Sequence, residues 1–176
     1  MADLSRLFVA LPPTEDARRA LSTIVRERVP AGLPGRAVPP RNWHLTLRFL
    51  GDADPVGADR IAAALDGADL GGAFRVSWGR LGAFPRPRRA TVLWIGLAGG
   101  ADPLAALAAR VEECARDAGF PAEDRPFRAH LTLARIRPDR DVQSLVEGFE
   151  PAGVTMTADH IALYRSHLCG GGARYE

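Results

Sequence analysis

Two of the four histidines in this chain head the same tetrapeptide, His-Leu-Thr-Leu, at His44–Leu47 and again at His130–Leu133. In an extended strand, residues i and i+2 share a face. His44 and Thr46 therefore point one way and Leu45 and Leu47 the other, and His130 and Thr132 repeat the arrangement. Each copy offers an imidazole beside a hydroxyl, on a surface whose reverse is apolar. An unperturbed imidazole titrates near about pH 6.5, so two of them in one groove can supply a general acid and a general base. Each threonine hydroxyl can donate a hydrogen bond to an oxygen held between the histidines. A phosphodiester suits this set. In-line displacement at phosphorus puts nucleophile and leaving group on opposite sides, and the hydroxyls meet the non-bridging oxygens that gain charge in the transition state. The residues themselves do not say which histidine is the acid and which the base.

This chemistry needs no metal. No cluster of Asp, Glu and His accompanies either motif along the chain, as a two-metal phosphatase would require. Two histidines without a third ligand at sensible spacing also fall short of a catalytic zinc site. No cofactor is expected. Cys114 and Cys169 lack metal-ligand spacing, and Cys114 falls in an apolar helical pattern that reads as core.

To bring two such motifs face to face, the elements around them must repeat too. Leu4–Leu11 alternates as a strand stopped by Pro12-Pro13, and Thr14-Glu15-Asp16 reads as the capped, acidic start of a helix that runs to Pro30. A Pro/Gly-rich connection leads to the first motif strand, which is expected to break at Gly51. Asp54-Pro55 opens a second helix and Phe74–Leu81 reads as a third strand. The second half follows the same order. It has a strand at Ala90–Leu97, a helix capped by Asp102-Pro103, the second motif strand over Phe127–Ile136, a helix begun by Asp139 or Asp141, and a last strand over Val154–Ser166. Gly170-Gly171-Gly172 then leads into a short tail. The expectation is one α+β domain over 1–176, with an internal repeat of about 4–82 and 90–167. It consists of two pseudo-symmetric lobes, each β-α-β-α-β, with mainly antiparallel sheets flanking a central groove.

Composition sets the remaining bounds. The 176 residues, 47% of them hydrophobic, suffice for one real core. Net charge is only +2, so general affinity for polyanions does not follow. All 23 basic residues are arginine, the side chain that offers phosphate a planar, bidentate donor pair. The amino terminus lacks the features of a signal peptide and no segment reaches about 18 apolar residues. A cytoplasmic monomer with no membrane partner is expected.

Together these residues resemble the 2H phosphoesterases, named for two His-x-Thr motifs, and among them the bacterial RNA 2′,3′-cyclic phosphodiesterases of the 2′-5′ RNA ligase family. The resemblance extends from Arg6–Pro12 and Val38-Pro39-Pro40 through His44–Gly51. It continues through Phe84-Pro85, Leu93-Trp94, Phe127 and His130–Arg135 to Leu163–Ser166 and Gly172–Tyr175. One departure is Ala129, where relatives often carry proline before the second histidine. The resemblance implies hydrolysis of a 2′,3′-cyclic phosphate on an RNA end or nucleotide to leave a 2′-phosphate, without metal or cofactor. It implies His44 as proton donor, His130 as proton acceptor, and Thr46 and Thr132 as phosphate ligands. Related activities would act on small cyclic nucleotides or 2′-5′ linked oligonucleotides, or join RNA ends through a 2′-5′ bond.

Three further residues are candidates for substrate contact. Arg48 continues the His44/Thr46 parity, Arg135 lies on the opposite parity from His130 near a strand end, and Phe8 could floor the groove or stack on a base. Arg86, Arg88 and Arg89 form a basic loop that could meet an RNA backbone. His160 and His167 lack a threonine at i+2 and read as structural or surface residues, and Trp43, Trp78 and Trp94 as packing residues.

Overall fold

The structure, a computed structural model, describes residues 4–169 and 172–176. The expected Gly170-Gly171 link and the side chain of Cys169 lie outside the described residues. The order is β1 (Ser5–Leu11), α1 (Glu15–Arg28), β2 (Arg36–Ala37), β3 (Leu45–Ala53), α2 (Pro55–Asp66), β4 (Phe74–Phe84) and β5 (Ala90–Gly99). It continues with α3 (Ala101–Asp117), β6 (Leu131–Arg140), α4 (Gln143–Gly148), β7 (Thr155–Ala158), β8 (Ala162–Cys169) and β9 (Gly172–Tyr175). Single 3-10 turns at Pro40–Asn42 and Pro87–Arg89 lead into β3 and β5.

The first two helices start where their caps say. The Thr14 hydroxyl accepts the Ala17 N–H at 3.3 Å and the Asp54 carboxylate accepts the Gly57 N–H at 2.7 Å, each satisfying a donor the helix cannot. The third start differs from expectation. Gly100, at φ +85°, is the cap of α3, and Asp102 and Pro103 sit inside its first turn. A side chain at Gly100 would strike the Arg75 carbonyl, so the close approach selects glycine.

Every pairing is antiparallel, and the sheet order is β7-β4-β5-β6-β3-β1-β8-β9, with β2 on β6. The α+β architecture expected from the sequence is present. Its halves interlock, because β4 of the first half pairs with β5 and β8 of the second half pairs with β1. The single last strand expected over Val154–Ser166 is two strands. Asp159 and His160, exposed and bonded to each other at 2.8 Å, break the alternation, and β7 joins β4 while β8 joins β1 at the far end of the sheet. The first motif strand passes through Gly51, which takes φ +80°, and goes on to pair Asp52 with Arg6.

β3 and β6 meet at one residue pair, Leu45↔Leu131. Both leucines are fully buried on the apolar face, where Ile61 of α2 and Leu104 and Val111 of α3 join the same core. Burial of each leucine contributes about 2 kcal/mol. The core therefore anchors the two motif strands at the point where they touch.

Candidate active site

The Leu45↔Leu131 pair is the local two-fold of the site. An antiparallel register centred there sets His44 across from Thr132 and Thr46 across from His130. Because side chains alternate, burying the two leucines turns all four polar residues to the other face. Each of the four is half-buried. Among the described residues neither threonine hydroxyl has a hydrogen-bond partner.

One device orients both imidazoles. His44 Nδ1 lies 2.8 Å from the Asn42 carbonyl and His130 Nδ1 lies 2.7 Å from the Arg128 carbonyl. A carbonyl only accepts, so each Nδ1 carries hydrogen and each Nε2 is left to take or give a proton. Asn42 itself is buried and donates its side-chain amide to the Ala173 carbonyl of β9 at 2.7 Å. The first imidazole is thereby tied to the carboxy-terminal strand.

Aromatic walls follow. Phe8 stands 4.8 Å from His44, stacked on Tyr164 at 5.2 Å and edge-on to Tyr175 at 5.0 Å. On the other side Phe84 meets His130 edge-on at 5.0 Å and Trp94 lies 6.1 Å from it. The Trp94 ring lies over Gly82 of the neighbouring strand, where any Cβ would fall inside the indole. Burial pushes His44 down to about 4, with His130 and Arg135 adding repulsion and the Asn42 carbonyl opposing it. Burial also lowers His130, again with help from Arg135 and against the Arg128 carbonyl. Empty, the site holds two neutral imidazoles at neutral pH.

The strand alternation breaks just past the threonine of each motif strand, and this reassigns two arginines. β1 pairs Ala10 with Thr46 but Val9 with Arg48, and β5 pairs Trp94 with Thr132 but Leu93 with Ala134, so Leu47 and Leu133 are the extra residues of β-bulges. Beyond each bulge the faces exchange. Arg48, expected on the His44 face, is 8% exposed instead; it is bonded to Glu112 of α3 and to the Phe49 and Pro121 carbonyls. Arg48 lines the cavity beside Thr46 and His130, but its guanidinium is committed to these protein partners. Arg135, on the wrong parity by counting, is turned to the groove, where its charge acts on His44, His130 and Tyr175. Phe8 is only 2% exposed, so it floors the site and has no face free for a base.

Other expectations sort in the same way. Arg88 is bonded to Gln143 at 2.5 Å and Arg89 to Asp139 at 2.8 Å, so two arginines of the basic loop serve β6 and α4. Trp43 and Trp78 are buried, as expected, whereas Trp94 belongs to the site. Asn42, Phe84, Tyr164 and Tyr175 escaped the reading of site residues. No repeat or charge marks them, and only the register brings them in. Cys114 is buried and free. Among the described residues no three His, Cys, Asp or Glu side chains are grouped to hold a metal, and no helix is long and apolar enough to cross a membrane.

The profile of the 2′-5′ RNA ligase superfamily matches residues 7–168. An RNA 2′,3′-cyclic phosphodiesterase of Aeropyrum pernix is 40% identical over 120 residues, which is 66% of this chain and 65% of that protein. One of Archaeoglobus fulgidus is 35% identical over 146 residues, 82% of this chain and 80% of that protein. Among solved structures, TT0787 of Thermus thermophilus is similar with a TM-score of 0.82 at 28% identity, over 97% of this chain and 93% of that one. E. coli LigT in apo form gives 0.81 at 25% identity, over 98% and 94%. With the paired His-x-Thr strands and a profile match from residue 7 to residue 168, the chain belongs to the 2′-5′ RNA ligase superfamily of 2H phosphoesterases.

Proposed function

We propose that this enzyme hydrolyses the terminal 2′,3′-cyclic phosphate of RNA to a 2′-phosphate, with His44 as general acid and His130 as general base. The observation that carries the reading is the pair of imidazoles set about the Leu45↔Leu131 bridge, each with Nδ1 held by a carbonyl and Nε2 left to the groove. The curated relatives at 40% and 35% identity bear the name of this activity. His130 Nε2 takes a proton from water as the water oxygen bonds to phosphorus. The bond from phosphorus to the 3′-oxygen breaks on the opposite side, and His44 Nε2 returns a proton to that oxygen. Thr46 and Thr132 donate to the non-bridging oxygens, and Arg135 offsets their charge. The assignment of acid and base follows the family resemblance.

Both imidazoles are neutral in the empty site, so the acid must be charged by its substrate. A phosphodiester anion between them favours the imidazolium form of each. Arrival of substrate thus lets His44 take up from solvent the proton that the reaction then spends on the 3′-oxygen. The chain works as one domain and as a monomer, since the paired halves already give the groove two walls.

The test is turnover of an RNA ending in a 2′,3′-cyclic phosphate in the presence of EDTA, with products separated by chromatography. A 2′-phosphate end formed at undiminished rate is expected. A 3′-phosphate product, or turnover only after metal is restored, would overturn the mechanism.

A further inference from the structure

Two concavities flank the site, and they differ in how their arginines are paired. One is a cavity of about 570 Å³ beside Thr46 and His130, walled by Phe84, Phe127 and the alanines of α3, where Arg48 and Arg125 are paired with Glu112 and Glu123. The other is a cleft of about 670 Å³ where Arg36, Arg41, Arg135 and Arg174 converge beside Asn42 and Tyr175, with no acidic residue in its lining. The four arginines come from β2, the 3-10 turn before the first motif, β6 and β9. No stretch of sequence announces them. Arg48, Arg89 and Arg125 are paired with carboxylates. Among the described residues these four have neither an ion pair nor a side-chain hydrogen bond.

The fold holds two of them together against their repulsion. β2 is two residues long, and its register sets Arg36 directly opposite Arg135. Like charges directly opposed destabilise a sheet. Gly35 makes the approach possible: at φ +74°, a Cβ there would lie 2.9 Å from the Ile136 Cα. A violation of local rules that is built in and left uncompensated marks a functional surface. The ligand it fits is phosphate, which guanidinium binds through two parallel hydrogen bonds.

We propose that this cleft is the track for the RNA strand leading to the cyclic end, with Arg36, Arg41 and Arg174 binding the phosphodiesters upstream of the reacting one. The proposal rests on the cyclic-phosphate reading above. Arg135 joins the track to the reaction centre, since it lines the cleft and also acts on both histidines. In the cavity beside Thr46 and His130, Arg48 and Arg125 are held by Glu112 and Glu123, so the four unpaired arginines make the cleft the stronger site for a phosphate strand. Contacts to phosphate position a strand without reading its bases. The enzyme therefore prefers an oligonucleotide end over a cyclic mononucleotide, with little regard to base.

Two measurements test this separately from hydrolysis. The first is binding of a short single-stranded RNA carrying a 2′-phosphate end, followed by fluorescence anisotropy across a salt series. Each phosphate neutralised on a single strand contributes about 0.7 to the slope of log affinity against log salt. The three upstream arginines therefore predict a slope steeper by about 2 for wild type than for the R36Q/R41Q/R174Q variant, with at least about tenfold weaker binding by the variant at low salt. The R36K/R41K/R174K variant recovers most of both. The second is the ratio of kcat/KM for a cyclic-phosphate oligonucleotide to that for a 2′,3′-cyclic mononucleotide, which falls at least about tenfold in the glutamine variant. Equal salt slopes for wild type and variant, or an equal loss on both substrates, would overturn the track. Wild-type protein that binds RNA with the steep slope but turns over neither substrate keeps the track and sinks the hydrolysis.

Discussion

The His44 and His130 sides of the groove share a tetrapeptide, a carbonyl two residues upstream that holds Nδ1, and a bulge three residues downstream. Their surroundings differ. His44 is enclosed by Phe8, Tyr164 and Tyr175, and its pKa falls to about 4. His130 has Phe84 and Trp94 beside it, and the position five residues after it is Arg135. Five residues after His44 stands Phe49, 48% exposed, and the arginine beside it, Arg48, is buried and bonded to Glu112. The repeated backbone makes the two imidazoles geometrically alike. The walls make them electrostatically unlike, because His44 is the more deeply enclosed of the two. Symmetry supplies the in-line arrangement, and departures from it set the two imidazoles apart.

The strongest way to break this comparison is to remove either imidazole. H44A and H130A should each lower kcat by about 100-fold or more, the range expected for loss of a general acid or base. The double variant should cost little beyond the worse single one, because two groups acting in one displacement are not additive. Steady-state rates on a cyclic-phosphate substrate check this. A single variant with an intact rate would leave only one histidine in the chemistry.

The next largest effect concerns the two arginines, where counting along the chain failed. The histidine–threonine faces were legible because period two holds over three residues, and the caps at Thr14 and Asp54 because short side chains act locally. The bulges at Leu47 and Leu133 were not legible. A bulge depends on which residues the neighbouring strand presents, and that strand is distant in sequence. Arg48 and Arg135 consequently exchanged faces. The exchange of β4 and β8 between halves, and the arrival of Tyr175 on β9, were hidden for the same reason. R48M should leave the half-buried Glu112 carboxylate with only the Glu123 N–H and lower stability by about 2 kcal/mol. For a chain of this length each kcal/mol corresponds to a fall of about 2–4 °C in Tm. R135M, exposed and unpaired, should keep its Tm and lose turnover instead. Calorimetry beside kinetics distinguishes the two, and a thermally silent R48M would return that arginine to the groove.

The pH profile tests the electrostatic half of the comparison. The base must be deprotonated, so kcat/KM rises with pH through the lower free-enzyme pKa. The acid must be protonated, so kcat/KM falls through the higher one. Both belong to the coupled pair rather than to one residue. With His44 at about 4 and His130 lowered from its ordinary value, the rising limb should lie near pH 4 and the falling limb below about 6.5. In the enzyme–substrate complex the phosphate charge raises both, so the limbs of kcat should sit at higher pH than those of kcat/KM. Coincident limbs would mean that the anion does not lie between the imidazoles.

The smallest expected effect is the most selective. Phe8 is buried against His44 and touches nothing on the His130 side. Its replacement in F8L removes an aromatic face at 4.8 Å from the imidazole and leaves room for water, at a cost of about 1 kcal/mol in stability. Since burial is the largest cause of the low His44 pKa, water at that position should raise it towards the ordinary value. His130, lowered by its own burial and by Arg135, should move far less. Its small response has a fixed sign: a more readily protonated His44 adds a positive charge nearby, which lowers His130 further. An NMR titration of the two imidazole carbon-bound protons reads both in one experiment. Opposite shifts, large and upward for His44 and slight and downward for His130, would locate the asymmetry in the wall. Equal upward shifts would place it in the opening of the whole groove, and the distinction between the two walls would fall.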